Sequence, residues 1–325
     1  MATEYQWPAI GNDKAREFLE RSLKNNKVAQ TYIFAGQDDL GKSTLALAFA
    51  RNLQGGREGF NGDLHLLQPE TDKKNISIEA TREFIKILNL SSFNNSYKIG
   101  IIKEADKLSE EAKSALLKTL EEPKDQVVII LLVADENNLP ATILSRGQIL
   151  YFYPTPAAVI YDYLIKDCGA NRSLAKDLAN LALGRPLAAL KMLEHPEAYR
   201  DYLERAEIWL SLIKTDLNAR LKALDRLFND KTWSRQAVDS AGETLLMAEG
   251  LERDLLLLSL GQPERLQHSA LKAELEKTLA FLEESSGQNS APLILQQLKL
   301  IAQAKEYLAA NVNPRLVLEQ VMINL

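Results

Sequence analysis

Short apolar runs alternate with helix-spaced apolar positions through the first half of the chain. "TYIFA" (31–35), "KIGII" (98–102), "VVIILLVA" (127–134) and "QILYFY" (148–153) are apolar runs of strand length. Between them lie segments of helical character. "KSTLALAFARNL" follows the first run, and Leu108, Ala112, Ala115, Leu116 and Leu120 recur at helical spacing after the second. Ser109 is placed to cap that second helix, Glu110 and Glu111 suit the positive end of its dipole, and Pro123 is placed to end it. Continuous apolar strands separated by helices predict a parallel sheet covered on both faces.

After "YPTP" (153–156) the strand signal fades. Residues 157–194 predict short helices broken at Gly169 and Gly184. From Pro196 onward the pattern is of long amphipathic helices, with breaks near "NDKTW", "GQPE", "SSGQNSAP" and "NVNP", which predicts a helical bundle. The expected division is an α/β domain over 1–154, a small helical domain over 155–196 and an all-helical domain over 197–325.

Composition narrows the classes. An apolar content of 46% fits a folded globular chain of 325 residues and argues against disorder. A net charge of −5 does not favour a free-standing nucleic-acid binder, although it leaves room for a subunit that touches DNA within a larger ring. The apolar run at 127–134 is far too short to span a bilayer, and "LLLLSL" (255–260) reads as core. "MATEYQWPAI" lacks a basic stretch followed by an apolar core, so no secretion signal and no membrane association are expected. Cys168 is the single cysteine and His65, His195 and His268 are scattered, so neither an internal disulfide nor a zinc site is expected. A cytoplasmic setting follows.

The candidate chemistry lies in "GQDDLGKST" (36–44), which fits the G-x4-G-K-[ST] phosphate loop between a strand and a helix. Gly36 and Gly41 let backbone N–H groups face a phosphate. The helix start adds a positive dipole end, Lys42 a point charge, and Ser43, followed by Thr44, a hydroxyl for magnesium. Asp38 and Asp39 add negative charge inside the loop, which weakens any hold on a nucleotide. In "IGIIKEADKLS" (99–109), Lys103 and Glu104 follow directly on a strand, the usual place for an acidic magnesium ligand in a nucleotide hydrolase.

With these motifs in place, the chain resembles bacterial clamp-loader subunits of the AAA+ class, and most closely those of the delta-prime type of DNA polymerase III. The resemblance runs through "IGNDKAREFLERSLKNNKVAQTYIFAG" (10–36), "EADKLSEEAKSALLKTLEEP" (104–123), "LPATILSRGQ" (139–148) and "LIAQAKEYLAANVNPRLVLEQVMINL" (300–325). It implies an AAA+ α/β domain with a phosphate loop, a small α-helical lid and an all-α collar bundle. It further implies assembly through the collar with gamma/tau-type ATPase and delta-type subunits, a sliding clamp as target, and primer-template DNA within the complex. Arg146 matches the family's arginine finger, which acts on a neighbour's ATP, and Glu104 the water-activating residue.

Several positions depart from the family pattern. Gln37 and Asp39 replace a proline and a glycine of the loop, and Lys103 replaces the first aspartate after the strand. Val133 or Ala134 stands where a polar sensor is expected, Ala188 where the lid arginine is expected, and Gly147 where cysteine is usual. The combination implies a stator that needs no cofactor, with ATP or ADP and magnesium at most weakly held and Glu104 vestigial. Lys42, Ser43 and Glu104 leave a hydrolysing motor subunit as the alternative. A small-molecule phosphotransferase fits less well, because residues 52–70 are short and weakly basic for a substrate lid. Lys113 and Lys118 fall on the polar side of their helix, either solvated or facing DNA. Asn311, Asn313 and Pro314 predict a cap between two collar helices, with Arg315 structural or at an interface.

Overall fold

The computed structural model describes residues 5–55, 63–70, 75–92, 97–122, 124, 126–228, 234–286 and 290–325. Two compact units appear: Met1–Asp167 with Gly184–Ala188, and Cys168–Leu183 with Ala189–Leu325.

The first unit contains α1 (Asp13–Lys24), β1 (Thr31–Ala35), α2 (Lys42–Leu53), β2 (Leu64–Leu67), α3 (Ile78–Leu88), β3 (Lys98–Ile102), α4 (Glu110–Glu121), β4 (Val127–Val133), α5 (Ala141–Leu144), β5 (Gln148–Tyr151) and α6 (Ala157–Lys166). The apolar runs form β1, β3, β4 and β5. Strand β2 is the one strand among the described residues that the apolar runs do not announce. The sheet order is β2-β3-β4-β1-β5 and every pairing is parallel.

Period-2 alternation divides the strands between two cores. Tyr32, Phe34, Ile99, Ile101, Val128 and Ile130 face α1 and α2, where Leu19, Leu45 and Phe49 meet them. Ile33, Ala35, Ile102, Ile129 and Leu131 face α3 and α4, where Phe84, Leu88, Ala112, Leu116 and Leu120 meet them. The expected stripe of α4 is therefore its buried face, except that Ala115 looks into an open groove against α3. Ser109 caps α4 by accepting from the Ala112 N–H at 3.2 Å. The helix ends at Glu121, and Pro123 lies outside the described residues.

A buried cation closes the far end of α3. Lys98 is 3% exposed at the start of β3, and its Nζ donates to the carbonyls of Ile87, Leu90 and Ser91 at 3.1, 3.0 and 3.3 Å. Asp63, fully buried, stands 3.7 Å from the same nitrogen. The carbonyls at and just past a helix C-terminus lack a full set of partners within it, and here one lysine serves Ile87 in the last turn and the two residues Leu90 and Ser91 beyond it.

The second unit contains α7 (Arg172–Leu181), most of α8 (Pro186–Glu194), α9 (Pro196–Leu212), α10 (Leu217–Leu227), α11 (Arg235–Ser259), α12 (Lys272–Ser286), α13 (Ala291–Ala309) and α14 (Pro314–Ile323). The chain breaks at Gly261, between α12 and α13, and at Asn311–Asn313, as the pattern predicts; "NDKTW" lies outside the described residues. Asn313 caps α14 by accepting from the Arg315 and Leu316 N–H groups, and Arg315 pairs with Glu319 at 2.9 Å. Trp209 is fully buried in a core built around α11 and shared with α9, α12, α13 and α14.

That core holds acids. Asp254 accepts from the Gln267 and His268 backbone N–H groups and pairs with His268 Nδ1, while His268 Nε2 meets the Tyr202 hydroxyl at 2.8 Å. Glu252 has no such support. Burial pushes its carboxyl up to about 7, and the neighbouring Trp209 indole N–H opposes this only in part. A carboxyl raised in the fold keeps its proton where the unfolded chain has lost it. Stability therefore falls as pH rises from about 4.5 to about 7, by on the order of 3 kcal/mol, and stays at the lower level above that. Glu252→Gln is expected to remove this slope and to raise stability at pH 8; urea unfolding at pH 5 and pH 8 measures both effects.

Candidate functional site

Strand β4 separates β1 from β3, so the loop leaving β1 and the segment leaving β3 face each other across the end of β4. Two strand spacings put them roughly 10 Å apart. Open parallel sheets bind ligands at this edge. Gly36 begins the loop, its N–H donating to Val133 O at 3.2 Å. A Cβ on Gly36 would meet Phe152 O at 2.5 Å, so only glycine lets the loop pass beneath the end of β5. Asp39 adopts φ +62, the left-handed conformation expected where glycine is usual, and Gly41 adopts φ +93 just before α2.

Lys42 is the first residue of α2 and is 6% exposed. Its Nζ turns back onto the loop. It donates to Gly36 O, to Gln37 O at 2.9 Å and to Asp38 Oδ1 at 3.4 Å. Burial lowers its pKa, against the opposing pull of Asp38, Asp106 and Asp39. Asp38 thus acts on the lysine that would otherwise act on a phosphate. Ser43 is half-buried and Thr44 exposed.

Two further contacts hold the loop. Asn12 precedes α1 but does not cap it; its Nδ2 donates to Leu40 O at 3.4 Å and its Oδ1 accepts from the Tyr153 N–H at 2.6 Å. The Leu187 N–H, in the first turn of α8, donates to Asp39 O at 3.1 Å. The space beside Gly41 and Leu45, walled by Pro8, Ile10, Asn12, Arg16 and Phe152, is a cavity of about 10 Å³, room for one water.

At the end of β3, the Lys103 N–H donates to Leu67 O, and Glu104 turns out of the strand at φ +51. The Glu104 carboxylate pairs with Lys107, one turn on. Asp106 Oδ1 is buried without a hydrogen-bond partner and acts on Lys42 through its charge. Val133 is buried, Ala134 exposed, and Ala188 half-buried beside Arg185. Among the described residues, no three His, Cys, Asp or Glu side chains gather to hold a metal.

Arg146 lies away from this loop, just after α5. Its Nη2 pairs with Glu121 Oε1 at 2.6 Å, and its Nη1 donates to Thr142 O at 2.6 Å and Ser145 Oγ at 3.4 Å. Gly147 follows it under Ile33, where an added Cβ would stand 2.7 Å from both Cγ1 and Cδ1. Lys113 departs from its expected solvent or DNA-facing place. It is 8% exposed, pairs with Glu110 of the same helix at 2.8 Å and ties α4 to the 136–138 turn through Asn138 O at 3.4 Å, whereas Lys118 is exposed.

Asn12, Asp106 and Glu121 lie inside the stretches that carry the family resemblance, but no role at these sites is legible for them in the sequence. Glu121 had one available signal, because an acid in the last turn of a helix opposes the dipole and calls for a partner.

Residues 11–156 match the family model described as DNA polymerase III, delta subunit. The DNA polymerase III subunit delta' of Bacillus subtilis is 26% identical over 96% of this chain and 95% of its own length. That of Escherichia coli is 29% identical over 42% of this chain and 41% of its own. The subunit tau/gamma of Haemophilus influenzae is 30% identical over 42% of this chain and 22% of its own. A crystal structure of a DNA polymerase III gamma subunit-related protein from Thermotoga maritima superposes with a TM-score of 0.51 at 18% identity, covering 94% of this chain and 97% of that one. The fold is the one that structure shares: a parallel five-stranded α/β unit with a helical C-terminal region.

Proposed function

Since this chain is a clamp-loader subunit homologous to the delta' and gamma/tau chains of DNA polymerase III, we propose that it is a delta'-like stator. In this reading it hydrolyses no ATP itself and presents Arg146 to a nucleotide held by a neighbouring subunit. It assembles through residues 197–325 with gamma/tau-type and delta-type partners, and the complex places a sliding clamp on primed DNA. Among the described residues no helix is long and apolar enough to cross a membrane.

The observation that carries this reading is the state of the β3 edge. Phosphoryl transfer to water needs a cation bridging the phosphates, a group orienting the water, and positive charge on the transition state. Here Lys103 stands where an acid would hold the cation, and the Glu104 carboxylate is engaged by Lys107. Lys42, the remaining charge, is spent on Gly36, Gln37 and Asp38. The residues present therefore favour a closed loop over a metal-nucleotide complex, and Arg146 contributes its charge elsewhere.

The purified chain tests this with Mg-ATP, using Lys42→Ala as the control. The expected result is a turnover that does not change when Lys42 is removed. Lys42-dependent turnover would put the motor-subunit reading first, a reading that Ser43, Glu104 and the likeness to gamma/tau favour.

A further inference from the structure

Arg146 is held rather than loose. A guanidinium carries five N–H donors in a planar fork. Thr142 O and Ser145 Oγ take two from Nη1, and Glu121 takes one from Nη2. The Nε hydrogen and one Nη2 hydrogen have no acceptor among the described residues. Two guanidinium donors of this kind are what grips a phosphate.

Glu121 stands in an unfavourable place for its own helix. It ends α4, where the dipole is negative, and it is followed by Glu122. Glu121 is about half exposed and Arg146 about a third, and exposed pairs of this kind add little to stability. The carboxylate therefore contributes little to folding and much to where the guanidinium points. Its backbone is anchored, because Leu116 and Leu120 fix α4 on the sheet and Lys113 ties the helix to the turn after β4. A rigid helix end thus carries the acceptor that orients a long, many-rotamer side chain.

We infer that Glu121 is the positioning residue for Arg146, turning the two remaining donors of its guanidinium toward a phosphate outside this chain. The inference rests on the trans role proposed for Arg146. It assigns Glu121 no contact with the nucleotide.

The test uses the clamp loader reconstituted with its ATPase and delta-type partners, reading DNA-stimulated ATP hydrolysis. Glu121→Gln keeps the shape and loses the charge. It is expected to lower kcat roughly tenfold with KM for ATP unchanged, since misplacing a catalytic group by about 1 Å costs up to 10²-fold. Glu121→Asp, which keeps the charge on a shorter stem, is expected to restore part of the rate. In an Arg146→Ala background, Glu121→Gln is expected to have no further effect, because a residue acting through another has nothing left to position. A wild-type rate in Glu121→Gln, beside a reduced rate in Arg146→Ala, overturns this inference alone. Additive losses overturn it as well. An unchanged rate in Arg146→Ala overturns the trans role and this inference with it.

Discussion

Arg146→Ala is expected to cut DNA-stimulated ATP hydrolysis at the site it serves by roughly 10³-fold while the clamp loader stays assembled. The size follows from what such an arginine does. Charge spreads over the phosphoryl oxygens in the transition state, and a guanidinium from across an interface stabilises it where water is excluded. Assembly is expected to survive because Arg146 is partly exposed and lies outside both hydrophobic cores of its unit. Arg146→Lys should recover little of the rate, since a single ammonium cannot offer two parallel donors. The measurement is steady-state ATPase with primed DNA, beside size-exclusion chromatography of the same sample. Full activity with an intact complex would remove the trans role.

The largest stability effect is expected at a residue with no part in that chemistry. Lys98→Met should destabilise the α/β unit by about 3–5 kcal/mol, the range for removing one partner of a buried charge pair. The carbonyls of Ile87 and of Leu90 and Ser91 just past α3 lose the ammonium together, and Asp63 loses the cation 3.7 Å away while staying fully buried. Asp63→Asn in the same chain should recover part of the loss, because it removes a buried negative charge whose cation is gone. Urea unfolding followed by circular dichroism gives both numbers. A loss below about 1 kcal/mol would mean that water serves those carbonyls as well as the lysine does.

Local order carried most of the fold into the sequence. Strand β1, helix α2 and strand β3 occupy the bounds their hydropathy suggests, because each buries a continuous run or a helical stripe. The caps at Ser109 and Asn313 were legible for a similar reason, since a capping side chain bonds within three residues of itself. Strand β2 was not. It is four residues long and lies at the sheet edge, with Leu66 half exposed, so "LHLL" lacks the length that marks its neighbours. Lys98 and Lys113 were hidden for another reason. A lysine near the end of a strand or on a helix reads as solvated, and only distant carbonyls at 87–91 and 138 make burial tolerable.

The candidate site divides along the same line. The phosphate loop is a local motif, and the strain at Asp39 could be foreseen from the glycine it replaces. The grip of Asn12 on Tyr153 spans 141 residues, and that of Glu121 on Arg146 spans 25. Contacts of that separation leave no periodic trace.

The contact between Gly147 and Ile33 couples the two positions sterically. Any side chain at 147 would press into Ile33, which is fully buried in a close-packed core. A smaller residue at 33 would make room for it but, by itself, would leave a cavity in the core. Substitutions at 147 and at 33 are thus expected to be non-additive, each costing more alone than the two together. The glycine beside the arginine is constrained by mutational epistasis with a residue on the neighbouring strand.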